Sequence, residues 1–454
     1  MNQQYDLEMK CKNFKHLLFV FTLGAFAAYG QTELSAKEAV FMALENNYQI
    51  QIANKQLEIS EKQNRWGEAG AFPTVSLSVG NNNTIQDNTN NPLTFTPGVI
   101  LSQSINPSLT LDYNIFSGFS VFISKRRLEQ LEEQSAQNSL SVIEATIQDV
   151  LRAYYGVQLQ KERTDLFREV LNLSRERKKL YDLKEKYSTS TSLESLQFRN
   201  QYLTDSINVV LQEISLENAH RNLKILMNDT TDVQYFLTDK LEIANELPIL
   251  SDAHQQLLEN NTDLRKQFIG LELQRTNTEL QRSFLYPTIN FQAGFAPGWS
   301  WIRNLQDNPN SPFNEISTNN ITYFGNLNLR YTLYNNWKNK RAVEVAKIQE
   351  EITALGIEDL KQNLKSALDN LLALYEARTQ LVSVSAENLQ YAEQAFDIAK
   401  KRFDLGTINS VDLMTFQNNY QNTLIQHYEN QFNRLDTYLE IYKLLGKISL
   451  DYAE

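Results

Sequence analysis

The chain repeats itself, and a repeat restricts the available folds more than any other feature of a sequence. Leu44-Glu45-Asn46-Asn47 returns as Leu258-Glu259-Asn260-Asn261, and Phe72-Pro73-Thr74-Val75 returns as Tyr286-Pro287-Thr288-Ile289, both 214 positions later. Gly80 and Gly294 keep that spacing. At a spacing of 218, Leu109, Leu111 and Tyr113 match Leu327, Leu329 and Tyr331, and Ser192, Asn200, Tyr202 and Leu226 match Ser410, Asn418, Tyr420 and Leu444. The matches are colinear. They define halves at 31–228 and 250–446, joined by a linker at 229–249 and followed by a short tail at 447–454.

Each half reads as a helix, two strands, a very long helix, a turn and a returning helix. Apolar residues step by threes and fours at Leu360, Leu364, Ala367, Leu371 and Leu374, then at Leu389, Ala392, Phe396, Ala399 and Phe403. The first half steps likewise at Leu166, Val170 and Leu173, and on its return at Leu203, Ile207, Val210 and Ile214. This is the ~3.5-residue period of a coiled-coil seam. The long segments, 119–186 and 337–402, hold about 66 to 68 residues and extend roughly 100 Å. The shorter ones, 34–70, 192–227, 250–284 and 410–445, hold about 35 to 37 residues, or roughly 55 Å. Two short helices stacked end to end equal one rod, so the duplication builds a cylinder wall.

The strands alternate instead. Val75, Leu77 and Val79 face one way and Ser76 and Ser78 the other, and Leu327, Leu329, Tyr331 and Leu333 alternate with Asn326, Asn328, Arg330 and Thr332. A soluble sheet would bury such an apolar face in a core. Two features point to lipid instead. The Asn-rich segments Asn81 to Asn91 and Asn304 to Asn320 resemble the outer loops of membrane barrels, and Phe72, Tyr113, Phe116, Tyr286, Trp299, Trp301, Tyr334 and Trp337 suit an interfacial girdle. Four strands cannot close a barrel and lipid does not tolerate an open sheet edge, so chains must associate. A dimer and a trimer would both close the ring.

With 54 acidic and 43 basic residues the chain carries a formal charge of −11, which disfavours nucleic acid as a partner. Basic residues from Lys10, an apolar stretch from Leu17 to Tyr29 and Ala28-Tyr29-Gly30 read as a cleaved signal peptide over 1–30, with Met9 the better start. The apolar stretch is too short to span a bilayer, which takes ~20 residues. Cys11 precedes it, which disfavours lipid attachment and leaves the mature chain without cysteine. His16, His220, His254 and His427 show no metal-ligand spacing, and no nucleophile elbow or phosphate loop is present. The expectation is a protein with no catalytic residue, cofactor or metal.

The segment from Lys401 to Leu413 places an aromatic residue, then Gly406, then Ser410-x-Asp412 and Leu413 at the turn between long and returning helices. On this segment, the Asn-Asn and Pro-Thr markers and the duplicated order of elements, the chain resembles the TolC-like outer-membrane efflux family over essentially all of its mature length. The resemblance implies a mixed α and β membrane fold: a duplicated helical barrel below a twelve-stranded transmembrane β-barrel shared by a homotrimer. It further implies residence in the bacterial outer membrane with the tunnel in the periplasm. The implied partners are outer-membrane lipid, a periplasmic adaptor and an inner-membrane pump, for export of small molecules or, alternatively, for type I protein secretion. A periplasmic coiled-coil scaffold is the competing class, and it explains the alternating strands poorly.

By the same resemblance Asp412, with Glu194 its counterpart in the first half, narrows the pore. Tyr187, Ser190, Ser192, Phe403, Leu405, Gly406, Thr407 and Ser410 form the adaptor-docking turns. The chain departs from the family at Thr415, where a second acid is often found, at Phe403, where a tyrosine hydroxyl can latch the closed state, and at Ser190, where glycine is expected. Read without the resemblance, Glu194 and Asp412 are dipole partners in first helical turns behind N-cap serines Ser192 and Ser410.

Overall fold

A computed structural model describes residues 32–91, 97–187, 191–241, 250–306 and 315–449. The signal segment, the tail beyond 449 and Ser190 lie outside the described residues. The first half runs β1 (Thr32–Leu34), α1 (Ala36–Asn46), α2 (Tyr48–Gln63), β2 (Thr74–Asp87), β3 (Val99–Ser117), α3 (Ser120–Lys186) and α4 (Ser192–Met227). The second runs β4 (Tyr235–Leu237), α5 (Leu250–Asn260), α6 (Thr262–Ser283), β5 (Thr288–Asn304), β6 (Glu315–Arg330), α7 (Lys338–Asp404) and α8 (Ser410–Leu444).

The rods α3 and α7 hold 67 residues each, about 100 Å at a rise of ~1.5 Å. Each leaves its strand through two left-handed residues, Gly118-Phe119 and Asn336-Trp337. At the first corner only glycine fits, because a Cβ on Gly118 would collide with the carbonyl oxygen of Ser283.

The shorter helices differ from the single segments expected at 34–70 and 250–284. Each breaks at the second asparagine of the repeated pair, where Asn47 and Asn261 take an extended conformation and cap the next helix. The Asn47 Oδ1 accepts from the Gln49 N–H at 2.8 Å while its Nδ2 donates to the Leu226 carbonyl at 2.8 Å. Asn261 does the same with Leu264 and Leu444, both at 2.9 Å. Each amide therefore caps one helix and holds the C-terminus of the returning helix against it, which is why a polar pair recurs inside otherwise helical sequence. Asn261→Ala, at a site 4% exposed, strands the Leu444 carbonyl and removes the cap. It is expected to lower stability by about 1–3 kcal/mol in thermal denaturation, with Asn261→Asp intermediate because it keeps only the cap.

At the level of these joints β1 pairs in parallel with β4, tying the start of the chain to the linker. Tyr154 of α3, fully buried, organises the contact. Its hydroxyl donates to the Leu34 carbonyl at 2.8 Å and accepts from the Thr238 and Asp239 N–H groups, both at 3.1 Å. Val40, Leu151, Leu223, Met227 and Leu439 pack around it in the largest apolar core.

The other four strands form one antiparallel sheet in the order β2-β3-β5-β6. Its register stacks Leu77, Leu109, Phe295 and Tyr323 in one row and Val75, Leu111, Ala293 and Gly325 in the next, so one face is apolar. Leu77 is 74% exposed and Tyr323 also 74%, with no layer of the described residues covering them. Ser78, Ser108, Gln292 and Asn326 share the other face. Parts of the Asn-rich segments expected as loops are strand: Asn81–Asp87 pair with β3, and Glu315–Asn320 pair with β5, while 307–314 lie outside the described residues. Backbone ladders are indifferent to side-chain polarity, so composition misled there. Among the described residues no helix is long and apolar enough to cross a membrane.

Candidate functional site

The two hairpin ends, α3–α4 and α7–α8, lie together at the far end of the rods from the sheet. The α7 rod stops because Gly406, with φ +72°, reverses the chain: the Thr407 N–H donates to the Arg402 carbonyl and the Gly406 N–H to the Phe403 carbonyl, both at 2.9 Å. Leu405 is 79% exposed, and a Cβ at Gly406 would meet nothing within 4 Å. This turn therefore projects freely. Tyr187, at the end of α3, is also exposed.

Phe403 points inward. Its ring lies 6.1 Å from both Tyr181 and Phe198, which lie 4.3 Å from each other, so it packs one hairpin onto the other. Ser410 is buried and donates to the Gln197 Oε1 at 3.0 Å, a second bond between the hairpins. Neither Ser192 nor Ser410 is the N-cap. Thr191 and Asn409 hold those positions, one residue earlier, because their side chains reach the third N–H of the helix.

The two acids then differ. Glu194 completes a capping box, its Oε2 accepting from the Thr191 N–H at 3.2 Å and the Thr191 hydroxyl at 3.1 Å. At Asp412 only the backbone N–H is engaged, by the Asn409 Oδ1 at 2.9 Å; its carboxylate accepts no hydrogen bond among the described residues, and the side chain is exposed. Asp412 is thus a charge the helix cap does not use.

Above the turns lies a set that sequence patterning missed. Arg177 of α3 donates to the Gln417 Oε1 on α8, and Asp205 of α4 is 4% exposed. Asp205 accepts from Gln201 at 2.8 Å and faces Ser174 and Arg177. Burial raises its carboxyl above the ordinary aspartate value, with Ser174, Gln201 and Arg177 opposing. Burial likewise lowers Arg177. A raised carboxyl adds stability below its ordinary value and loses it as pH rises through the raised one. Asp205→Asn is therefore expected to flatten the fall in melting temperature as pH rises above the ordinary aspartate value. An unchanged slope would assign that pH dependence to other groups.

The girdle residues divide into two tiers. Phe116, Phe119 and Tyr286 pack edge to face at the sheet's helical end, as do Tyr334 and Trp337. Phe72 lies just before β2 at that end. Tyr113 pairs with Phe291, while Trp299 and Trp301 lie further up β5 opposite Ile105 and Gln103. The ten steps from Phe291 to Trp301 span about 33 Å along the strand, or roughly 25 Å along the axis of a barrel whose strands tilt by ~40°, the height of a lipid-facing band.

The two flanks of the helical wall differ in kind. The α7 rod packs against α5, α6 and α8, leaving a stripe at Val345, Ile348, Ile352, Leu355, Leu381 and Val384 exposed. On the other flank α2 and α4, packed on α3, expose Ile52, Ile59, Leu203, Ile207, Val210 and Ile214.

Known proteins share this architecture. The chain is similar in structure to CusC (TM-score 0.72, 15% identity, covering 94% of this chain and 96% of that one). It is also similar to the CmeC outer membrane channel of Campylobacter jejuni (0.70, 16%, 97% and 94%). A third likeness is to the open state of the MtrE outer membrane channel of Neisseria gonorrhoeae (0.68, 18%, 90% and 88%). At such identities the likeness shows the fold. No curated protein matches the chain in sequence. The sequence pattern of outer membrane efflux proteins matches residues 40–229 and 253–447, one stretch for each half of the duplication. A match of that extent, on a sheet and rods of this form, places the chain in the outer membrane efflux protein family.

Proposed function

We propose that this outer-membrane efflux channel, a transport duct and not an enzyme, works as a homotrimer. Its twelve strands close a barrel in the outer membrane, and its helices form a tunnel in the periplasm. The observation that carries the reading is the four-stranded sheet with an uncovered apolar face and its two outer strands, β2 and β6, each paired on one side only among the described residues. Lipid accommodates the face, and only neighbouring chains can satisfy the edges. The unlike flanks of the wall support a head-to-tail contact, which closes into a ring. The two aromatic tiers act as the interfacial girdle.

The hairpin ends dock a periplasmic adaptor and an inner-membrane pump through Tyr187, Leu405, Gly406 and Thr407, and Asp412 lines the entrance. Small molecules are the cargo. Fractionation tests the membrane reading: the protein should stay with membranes through an alkaline wash, and release by that wash would overturn it. Docking is tested by Leu405→Arg, at a side chain 79% exposed, which changes the surface of the turn and leaves the left-handed Gly406 in place. Export should fall at least tenfold with normal oligomer levels, and unchanged export would remove the turn from the docking surface.

A further inference from the structure

The band where sheet meets helices carries a charge opposite to that of the rest of the chain. Residues 65–72, 116–127, 282–287 and 331–341 contain eight Lys or Arg and a single acid, Glu68, a local charge of +7 within a chain of −11. Lys125 and Arg126 are engaged by Glu129 and Glu279. Arg65, Arg127, Arg282, Lys338, Lys340 and Arg341 are exposed and form no ion pair among the described residues.

The same segments expose Phe72, Phe122, Tyr286, Leu333 and Trp337, and the Lys340 Nζ stands 4.1 Å above the Trp337 ring. Cations and aromatic rings thus share the segments at the helical end of the sheet. The α3 and α7 rods both start in this band, with no side-chain cap and no acidic residue in the first turn. Lys338 and Lys340 instead occupy the first turn of α7, although a cation there opposes the helix dipole by about 0.3–1 kcal/mol. Such placement is favourable where an anion lies close.

We propose that this collar binds the phosphate groups of anionic phospholipids in the leaflet next to the helical tunnel. The inference rests on the membrane reading above. Continuity with the apolar sheet face sets headgroups at this level, and the phosphodiester supplies the missing negative charge. The aromatic rings hold the glycerol level while the cations reach the phosphates.

The test uses the full-length oligomer with phosphatidylglycerol and phosphatidylcholine as probes, bound lipid being counted by native mass spectrometry. The parent is expected to retain phosphatidylglycerol about tenfold better. Lys338→Gln/Lys340→Gln/Arg341→Gln should remove most of that preference, cutting it about fivefold or more. Lys365→Gln/Lys400→Gln/Lys401→Gln, exposed cations lower on the same rod, should leave it unchanged. Equal retention of both lipids by the parent, an unaltered preference in the collar variant, or equal loss in both variants would overturn the proposal. Insertion into phosphatidylcholine vesicles keeps the two readings apart: failure to insert at all sinks the membrane reading, whereas insertion without lipid preference sinks only the collar.

Discussion

Leu355→Asp combined with Val384→Asp is expected to leave a folded chain that no longer assembles. Leu355 is 70% exposed and Val384 64%, so neither contributes to the core of a single chain. Both lie on the outer flank of α7, where the proposed ring places the next subunit. Burying an unpaired carboxylate there costs several kcal/mol, and each interface of the ring would bear two. That exceeds what a partner lacking matched cations can return. Size-exclusion chromatography with mass determination in detergent should show monomer in place of trimer, while the helical circular-dichroism signal of the monomer is retained. Trimer in parental yield would show that α7 faces something other than a second copy.

Asp412→Asn is expected to alter conduction strongly without altering the fold. The substitution preserves size, and the helix N-terminus keeps its cap because the Asn409 Oδ1, not the Asp412 carboxylate, accepts the Asp412 N–H. In the proposed trimer three such carboxylates would surround a narrow aqueous axis, attracting cations and binding multivalent ones, so their removal should reduce cation preference and relieve block by trivalent cations at least tenfold in planar bilayers. Glu194→Gln is the informative companion. Its carboxylate closes a capping box with Thr191, so that change should cost about 0.5–1 kcal/mol of helix stability and alter selectivity less. Parental selectivity and block in an intact Asp412→Asn trimer would place the constriction elsewhere.

The duplication, the two rods and the alternating strands were legible in the sequence because each rests on a local period: 3.5 for a helix seam, two for a pleated strand. The turn at Gly406 was legible because few residues but glycine accept its left-handed backbone. Other assignments depended on partners far away in the chain. The repeated Asn-Asn pair was visible as a marker, yet only the returning helix ends at Leu226 and Leu444 reveal it as a joint between stacked helices. Asn409 and not Ser410 caps α8, leaving the Ser410 hydroxyl to bond Gln197, and Phe403 is a hairpin contact because Tyr181 and Phe198 flank it. Nothing local distinguishes Tyr154 from the chain's other tyrosines, or Asp205 from solvated acids on α4, because burial and hydrogen-bond partners are properties of packing. The sequence by itself determined the two rods, the alternating strand cores and the duplicated order, since these follow from short-range periodicity and backbone preference. The tertiary structure decided which acids are caps and which are free charges, where cations gather into a collar, and which apolar stripes remain for other molecules, because those follow from the distances between elements far apart in the chain.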